Sequence, residues 1–234
     1  MKTIFFDLDG TLLPQDLDVY IKDYFGYLVK FMTPYGFDPK RLPVSVWKGV
    51  NAMVVNDGSC TNQERFWQVF EQEEGPVTPE IRDAFNRFYA TDYNKAQEVT
   101  WKAPQAAVLI DRLKERGHRL IMATNPLYPQ IASAERTQWA GLDPNDFELI
   151  TSYENCTYCK PNIRYYTEIC ENIGEDPKNC IMIGNHTGED LIAREIGMDV
   201  FILTDCLIDE DHVDLTDVPH GSFDELFRWL GLTD

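Results

Sequence analysis

The amino-acid sequence predicts an α/β fold: a parallel sheet, covered on both faces by helices, is interrupted after its first strand by an inserted all-helical segment. Three observations lead there. An apolar run at residues 4–6, Ile-Phe-Phe, ends in Asp7 and Asp9, yet no helix begins before Pro14. Residues 14–101 are rich in aromatic side chains at helical spacing. From Lys102 onward, short unalternating apolar runs take turns with helical patterns.

Taken in order, the first run has the length and flanks of a buried strand. Gly10 permits a tight turn without a Cβ penalty, so Asp7 falls at the strand's carboxyl end and Asp9 beside it on the turn. Val19, Ile21, Tyr24, Phe25, Leu28, Phe31 and Met32 recur near i, i+3, i+4 and i+7, the pattern of an amphipathic helix, which Pro34 and Gly36 end. A second helix is expected over 46–55, closed by Asn56-Asp57-Gly58. Thr61 and Glu64 have the spacing of a capping box for a third, with Phe66, Val69 and Phe70 as its apolar stripe. Thr78-Pro79 opens a fourth, with proline at a tolerated first position and Ile81, Phe85, Phe88 and Tyr89 on the buried face. Further helices are expected over 104–116, 126–139, 162–173, 189–196 and 223–230, and strands over 119–123, 147–150, 180–183 and 200–203. The organisation that follows is one α/β core domain, residues 1–13 and 102–234, with residues 14–101 inserted as a helical domain.

At 44% hydrophobic and 26% charged, the 234-residue chain has the composition of a folded soluble protein. Lys plus Arg total 21 and Asp plus Glu 39, a net charge of −18. So acidic a surface repels nucleic acid and anionic membranes. It also opposes an anionic substrate, so a phosphate site needs its own positive charge or a metal. No stretch approaches the roughly 20 apolar residues of a membrane span, and Met1-Lys2-Thr3 leads into a strand rather than a secretory signal. The expectation is a cytoplasmic protein that engages neither nucleic acid nor membrane. Six cysteines in a chain of this length are no disulfide framework.

Ligands of open parallel sheets bind outside the carboxyl ends of the strands. Asp7 and Asp9 follow the first strand, Thr124 and Asn125 the second, Lys160-Pro161 the third at a distance, and Gly184-Asn185-His186-Thr187-Gly188-Glu189-Asp190 the fourth. Carboxylates, a hydroxyl, a cation and oxygen ligands thus collect on one edge. Two carboxylates at a buried strand end must be paired, hydrogen-bonded or bound to metal. Turn capping is the plainer alternative for the pair, as it is for Thr124.

Asp7-Leu8-Asp9-Gly10-Thr11-Leu12 resembles the first motif of the haloacid dehalogenase-like (HAD) hydrolase superfamily, most of whose members are magnesium-dependent phosphatases. Thr124 resembles the second motif, Lys160-Pro161 the third, and Gly184 to Asp190 the fourth. The insertion after the first strand resembles the helical cap of the C1 class. The resemblance implies a Rossmann-like core and Mg²⁺-dependent hydrolysis of a small phosphorylated metabolite through an aspartyl-phosphate. It makes Asp7 the nucleophile and Asp9 the general acid and base. Thr124 and Asn125 would hold the phosphoryl group, and Lys160 would offset the repulsion between two anions. Asp7, the Asp9 carbonyl, Asn185 and Asp190 would form the metal site.

One position departs from that pattern. Asn185 stands where the family usually has an acid, so the metal site carries one charge fewer. Glu189 either compensates or faces solvent at a helix start. Two alternatives therefore stand beside the phosphatase: a phosphate-binding or interaction module without turnover, and a metal-free dehalogenase, a group that lacks the acid at Asp9. Cys156 and Cys159 lie immediately before Lys160 as a single CxxC pair, which reads as two ordinary loop thiols or as a redox pair. His186 reads as a polar loop residue. Residues 56–62, with Lys48 and Arg65, form the expected substrate-facing surface of the helical insertion. The sequence sets neither the substrate nor the oligomeric state.

Overall fold

Strand β1 (Thr3–Phe6) is buried along its whole length, and the sheet is built outward from it. A computed structural model describes residues 1–233. After β1 come four helices, α1 (Leu17–Met32), α2 (Arg41–Val54), α3 (Asn62–Glu74) and α4 (Pro79–Ala90). Then α5 (Pro104–Glu115), β2 (Arg119–Met122), α6 (Gln130–Trp139), β3 (Leu149–Ile150) and α7 (Ile163–Ile173) follow. The chain continues through β4 (Cys180–Gly184), α8 (Thr187–Asp190), β5 (Asp199–Leu203), β6 (His220–Gly221) and α9 (Phe223–Trp229). The six strands lie in the order β3-β2-β1-β4-β5-β6 and every pairing is parallel.

Side-chain alternation sorts the strands onto two faces. Phe6, Met122, Ile183 and Phe201 share one apolar cluster with Tyr20, Tyr24, Phe66, Phe85 and Phe88 of α1, α3 and α4. Phe5, Ile121, Met182 and Ile202 point the other way, onto Tyr165, Tyr166 and Ile169 of α7. Both faces are covered, which is why the strands read as unbroken apolar runs. The four helices after β1 leave and rejoin the sheet side by side. Gln15 and Thr100 pair antiparallel, and the Trp101 N–H donates to the Pro14 carbonyl at 3.0 Å.

Local signals held where capping chemistry was explicit. Thr61 and Glu64 form both halves of the capping box, and Thr78 caps α4 with Pro79 in its first turn. Two helix starts moved furthest. Helix α2 begins at Arg41 rather than 46, because Pro43 lies in the first turn, where a missing N–H costs nothing. Helix α6 begins at Gln130 rather than 126. Pro129 biases the residue before it toward extended backbone and stands as the N-cap. The expected helix over 189–196 starts as the single turn α8 and runs on as a 3-10 helix, Leu191–Ile196. The short strand β6 carries no apolar run and was not foreseen.

Candidate active site

The carboxyl ends of β1, β2 and β4 converge on one cavity of about 750 Å³. Asp7, Asp9, Thr124, Asn125 and Asn185 all line it. Lys160 and Asp190, each at most 1% exposed, lie directly beneath. The Lys160 ammonium donates to Asp7 Oδ1 at 2.9 Å and to Asp190 Oδ1 at 2.7 Å. Asp190 Oδ2 accepts the His186 N–H at 3.0 Å. Two buried carboxylates would repel each other; the ammonium between them makes the arrangement tenable. Burial pushes the Asp7 carboxyl up to about 7 against the pull of Lys160. Burial opposes the Lys160 charge, yet Asp190 and Asp7 beside it hold that pKa well above the ordinary lysine range.

Two glycines make these approaches possible. Gly10 has φ +78°, and a Cβ there would fall 2.2 Å from Asn185 Nδ2. A Cβ at Gly184 would fall 2.0 Å from Asp190 Oδ2. Neither position accepts another residue without displacing a site side chain.

Asn185 is held from both ends. Its Oδ1 accepts the Thr11 hydroxyl at 3.0 Å, and its Nδ2 donates to the Cys206 carbonyl at 2.7 Å. The same Thr11 hydroxyl lies 3.3 Å from Asp7 Oδ2, so Asp7 and Asn185 oxygens gather around one point. Thr124 is fixed through its carbonyl, which accepts from the hydroxyls of Thr151 at 2.6 Å and Tyr165 at 2.9 Å. Asn125 donates to Glu189 Oε1 at 3.1 Å. Glu189 therefore turns into the site rather than to bulk solvent, and burial raises its pKa. His186 caps α8, accepting the Gly188 N–H on Nδ1 at 3.1 Å.

Sequence reading missed Arg136. This side chain on α6 is fully buried, donates through Nη1 to Asp9 Oδ2, and stacks over the Tyr128 ring with Cζ 4.3 Å from its centroid. Its Nε and Nη2 have no hydrogen-bond partner among the described residues. The available signal was an arginine three and four positions after Ser133 and Ala132, on the small-residue face of a helix.

The expected substrate-facing surface of the helical segment lies elsewhere. Arg65 is committed to Asp57 at 3.1 Å and Asn56 at 3.2 Å, and Lys48 to Glu73 at 2.7 Å. Asn62 packs on Cys159. None of these residues lines the cavity; aromatic residues of α1–α4 do. Short polar side chains fold back on their own loops, which is why their exposure in sequence misled. Cys156 and Cys159 are separate free thiols, both buried, and burial pushes each above the ordinary thiol range. A redox role has no geometric support here.

Among the described residues, no group of three or more acidic, histidine or cysteine side chains converges as a metal cluster. The oxygens around Thr11 form a different kind of set: one carboxylate from Asp7 and one amide from Asn185. Such an all-oxygen set suits a hard cation that keeps part of its water shell. Asp190 accepts from Lys160 and from the His186 N–H, as Asp7 accepts from Lys160 and Thr11. No helix among the described residues is long and apolar enough to cross a membrane.

This edge of acids, hydroxyl and lysine on a parallel sheet agrees with the sequence comparison: the chain belongs to the haloacid dehalogenase-like hydrolase family, which it matches over residues 1–195. It is 25% identical over 224 residues to the glyceraldehyde 3-phosphate phosphatase of Methanothermobacter thermautotrophicus, covering 92% of this chain and 91% of that one. Among solved structures it resembles the HAD phosphatase from Thermococcus onnurineus, with TM-score 0.58, 16% identity and coverage of 99% and 98%. It also resembles CbbY from Rhodobacter sphaeroides in complex with phosphate, with TM-score 0.59, 18% identity and coverage of 97% and 96%. These structural likenesses speak to the fold.

Proposed function

We propose that the chain is a phosphatase that hydrolyses a small-molecule phosphate monoester through an aspartyl-phosphate on Asp7. Residues 14–101 act as a helical cap over the α/β domain of residues 1–13 and 102–234. The observation that carries the reading is the Lys160 ammonium bridging Asp7 and Asp190 at the floor of the cavity. The phosphatase name of the Methanothermobacter relative supports it. Asp9, held by Arg136 at the cavity edge, supports it over a dehalogenase.

An Asp7 oxygen attacks phosphorus and the ester P–O bond breaks. Asp9 passes a proton to the departing alkoxide. Water then attacks phosphorus, Asp9 takes the proton, and the acyl-phosphate P–O bond breaks to free inorganic phosphate and Asp7. The Thr124 hydroxyl and Asn125 orient the phosphoryl oxygens, while Lys160 balances the negative charge that collects on Asp7 and the phosphate. Arg136 is a positioning residue: it fixes where the Asp9 carboxylate sits. Asp7, the Asp9 main chain and Asn185, with Asp190 beside them holding Lys160, would hold Mg²⁺, which would supply positive charge to offset that of the phosphoryl group.

The test is turnover of a panel of phosphate esters with and without Mg²⁺. Wild type releases phosphate, and Asp7→Asn loses on the order of 10⁴-fold or more in kcat. Turnover that survives Asp7→Asn overturns the mechanism.

A further inference from the structure

Above the acidic floor the cavity has a different chemistry, and it bears on the substrate. Its upper wall is made by aromatic and aliphatic residues of the helical segment, among them Tyr24, Phe25, Trp47, Val50 and Tyr89. Among the described residues, no lysine or arginine lines it. The charged residues at its rim, Asp16, Asp18, Asp205 and Glu210, are all acidic and exposed. A second phosphate or a carboxylate on the substrate would meet no counterion there and would face repulsion.

Two tyrosine tips of this wall are engaged with each other, while Gln15 Oε1 and Asn125 Oδ1 in the cavity lining have no hydrogen-bond partner among the described residues. The Tyr24 and Tyr89 hydroxyls bond each other at 2.9 Å, leaving ring surface toward the cavity. A polyhydroxylated leaving group would find too few partners on this ring-lined wall to replace all its hydrogen bonds to water. Meanwhile Trp47 and Trp101, which line the opening, are 42% and 53% exposed. An apolar ligand would cover that surface, and apolar surface at a pocket mouth is a recognition feature. At about 750 Å³ the space suits a drug-sized molecule, and a three-carbon phosphate would leave most of it to water.

Resting on the phosphatase reading, we infer that the substrate is the phosphate monoester of a bulky, uncharged, predominantly apolar alcohol, aryl-alkyl or alkyl, and that small anionic phosphates are disfavoured. The experiment compares kcat/KM for phenylalkyl and n-alkyl phosphates of rising length with glycerol 3-phosphate and phosphoglycolate. These esters of aliphatic alcohols have unactivated leaving groups. Expected is a rise of roughly fourfold per added methylene until the cavity is full, with phosphoglycolate lowest. The phenylalkyl and n-alkyl arms tell an aromatic leaving group from a lipid-like one.

Trp47→Ala, at a partly exposed position, raises KM for the longest ester about tenfold and flattens the slope, with the fold checked by circular dichroism. A flat length series, or phosphoglycolate as the best substrate, overturns the inference and leaves the phosphatase intact. Hydrolysis of no ester counts against the phosphatase reading instead. In that case calorimetry with the matching phenylalkyl phosphonate tests the cavity alone: binding weakened by Trp47→Ala supports the inference, and no binding overturns it.

Discussion

The floor and the upper wall of the cavity are built on opposite principles. The floor holds five charged side chains, Asp7, Asp9, Lys160, Asp190 and, behind Asp9, Arg136, tied into two ion-paired groups. The wall holds aromatic rings and aliphatic side chains. Burial pushes the Tyr20, Tyr24 and Tyr89 hydroxyls well above the ordinary tyrosine range, so these groups stay uncharged. Buried charges are weak sources of stability, because desolvation offsets their attraction. Buried rings contribute strongly to it. The contrast matches the division of labour in the proposed function: the floor for chemistry, and the wall for stability and for choice of leaving group.

Breaking the floor pair unevenly and emptying the core behind the wall give the largest expected effects on stability. Asp9→Ala leaves Arg136 buried without its carboxylate, at a cost of about 3–5 kcal/mol read by denaturant unfolding. The double variant Asp9→Ala/Arg136→Met recovers most of that stability and none of the turnover. Recovery of turnover would break the division. On the wall side, Phe88→Ala in α4 empties a fully buried site and costs about 3–5 kcal/mol. Its kcat per folded molecule stays near wild type; a large fall in kcat would tie the helical segment to chemistry.

A smaller effect separates hydrogen bonding from burial in the wall. Tyr20 and Tyr93 bond hydroxyl to hydroxyl at 2.6 Å within the aromatic core. Tyr20→Phe leaves the Tyr93 hydroxyl with one partner fewer and costs about 1 kcal/mol, measured as a shift in the urea midpoint. The smallest effect concerns the thiols beside Lys160. Cys156 and Cys159 alkylate in the native protein no faster than it opens, while the half-buried Cys60 and Cys206 react first, as peptide mass mapping over time would read. Rapid modification of Cys159 would place a reactive group against the floor.

Several parts of this design were open to sequence reading, and each had a local cause. The strand ends were found because residues 4–6 and 180–183 are apolar on both faces. The third and fourth helices were found because Thr61, Glu64, Thr78 and Pro79 carry capping chemistry within four residues. Helix starts near Pro43 and Pro129 slipped, since proline both opens helices and disfavours them just upstream.

By itself the sequence determined the alternation of strands and helices and the long helical interruption after Leu13, and with the family resemblance it pointed to Asp7, Asp9, Thr124, Asn125, Lys160, Asn185 and Asp190 as candidate site residues. These depend on short-range periodicity and on the rule that strand ends gather ligands. Only the tertiary structure decided three further things. It brought Arg136 onto Asp9, across 127 positions of chain. It spent Asn185 on Thr11 and Cys206, and Arg65 and Lys48 on their own neighbours. It made the aromatic rings of α1–α4, which read as core, into the upper wall of the site. The physical reason is common to all three: a side chain's partner across space is set by packing, and neither charge nor periodicity along the chain encodes it.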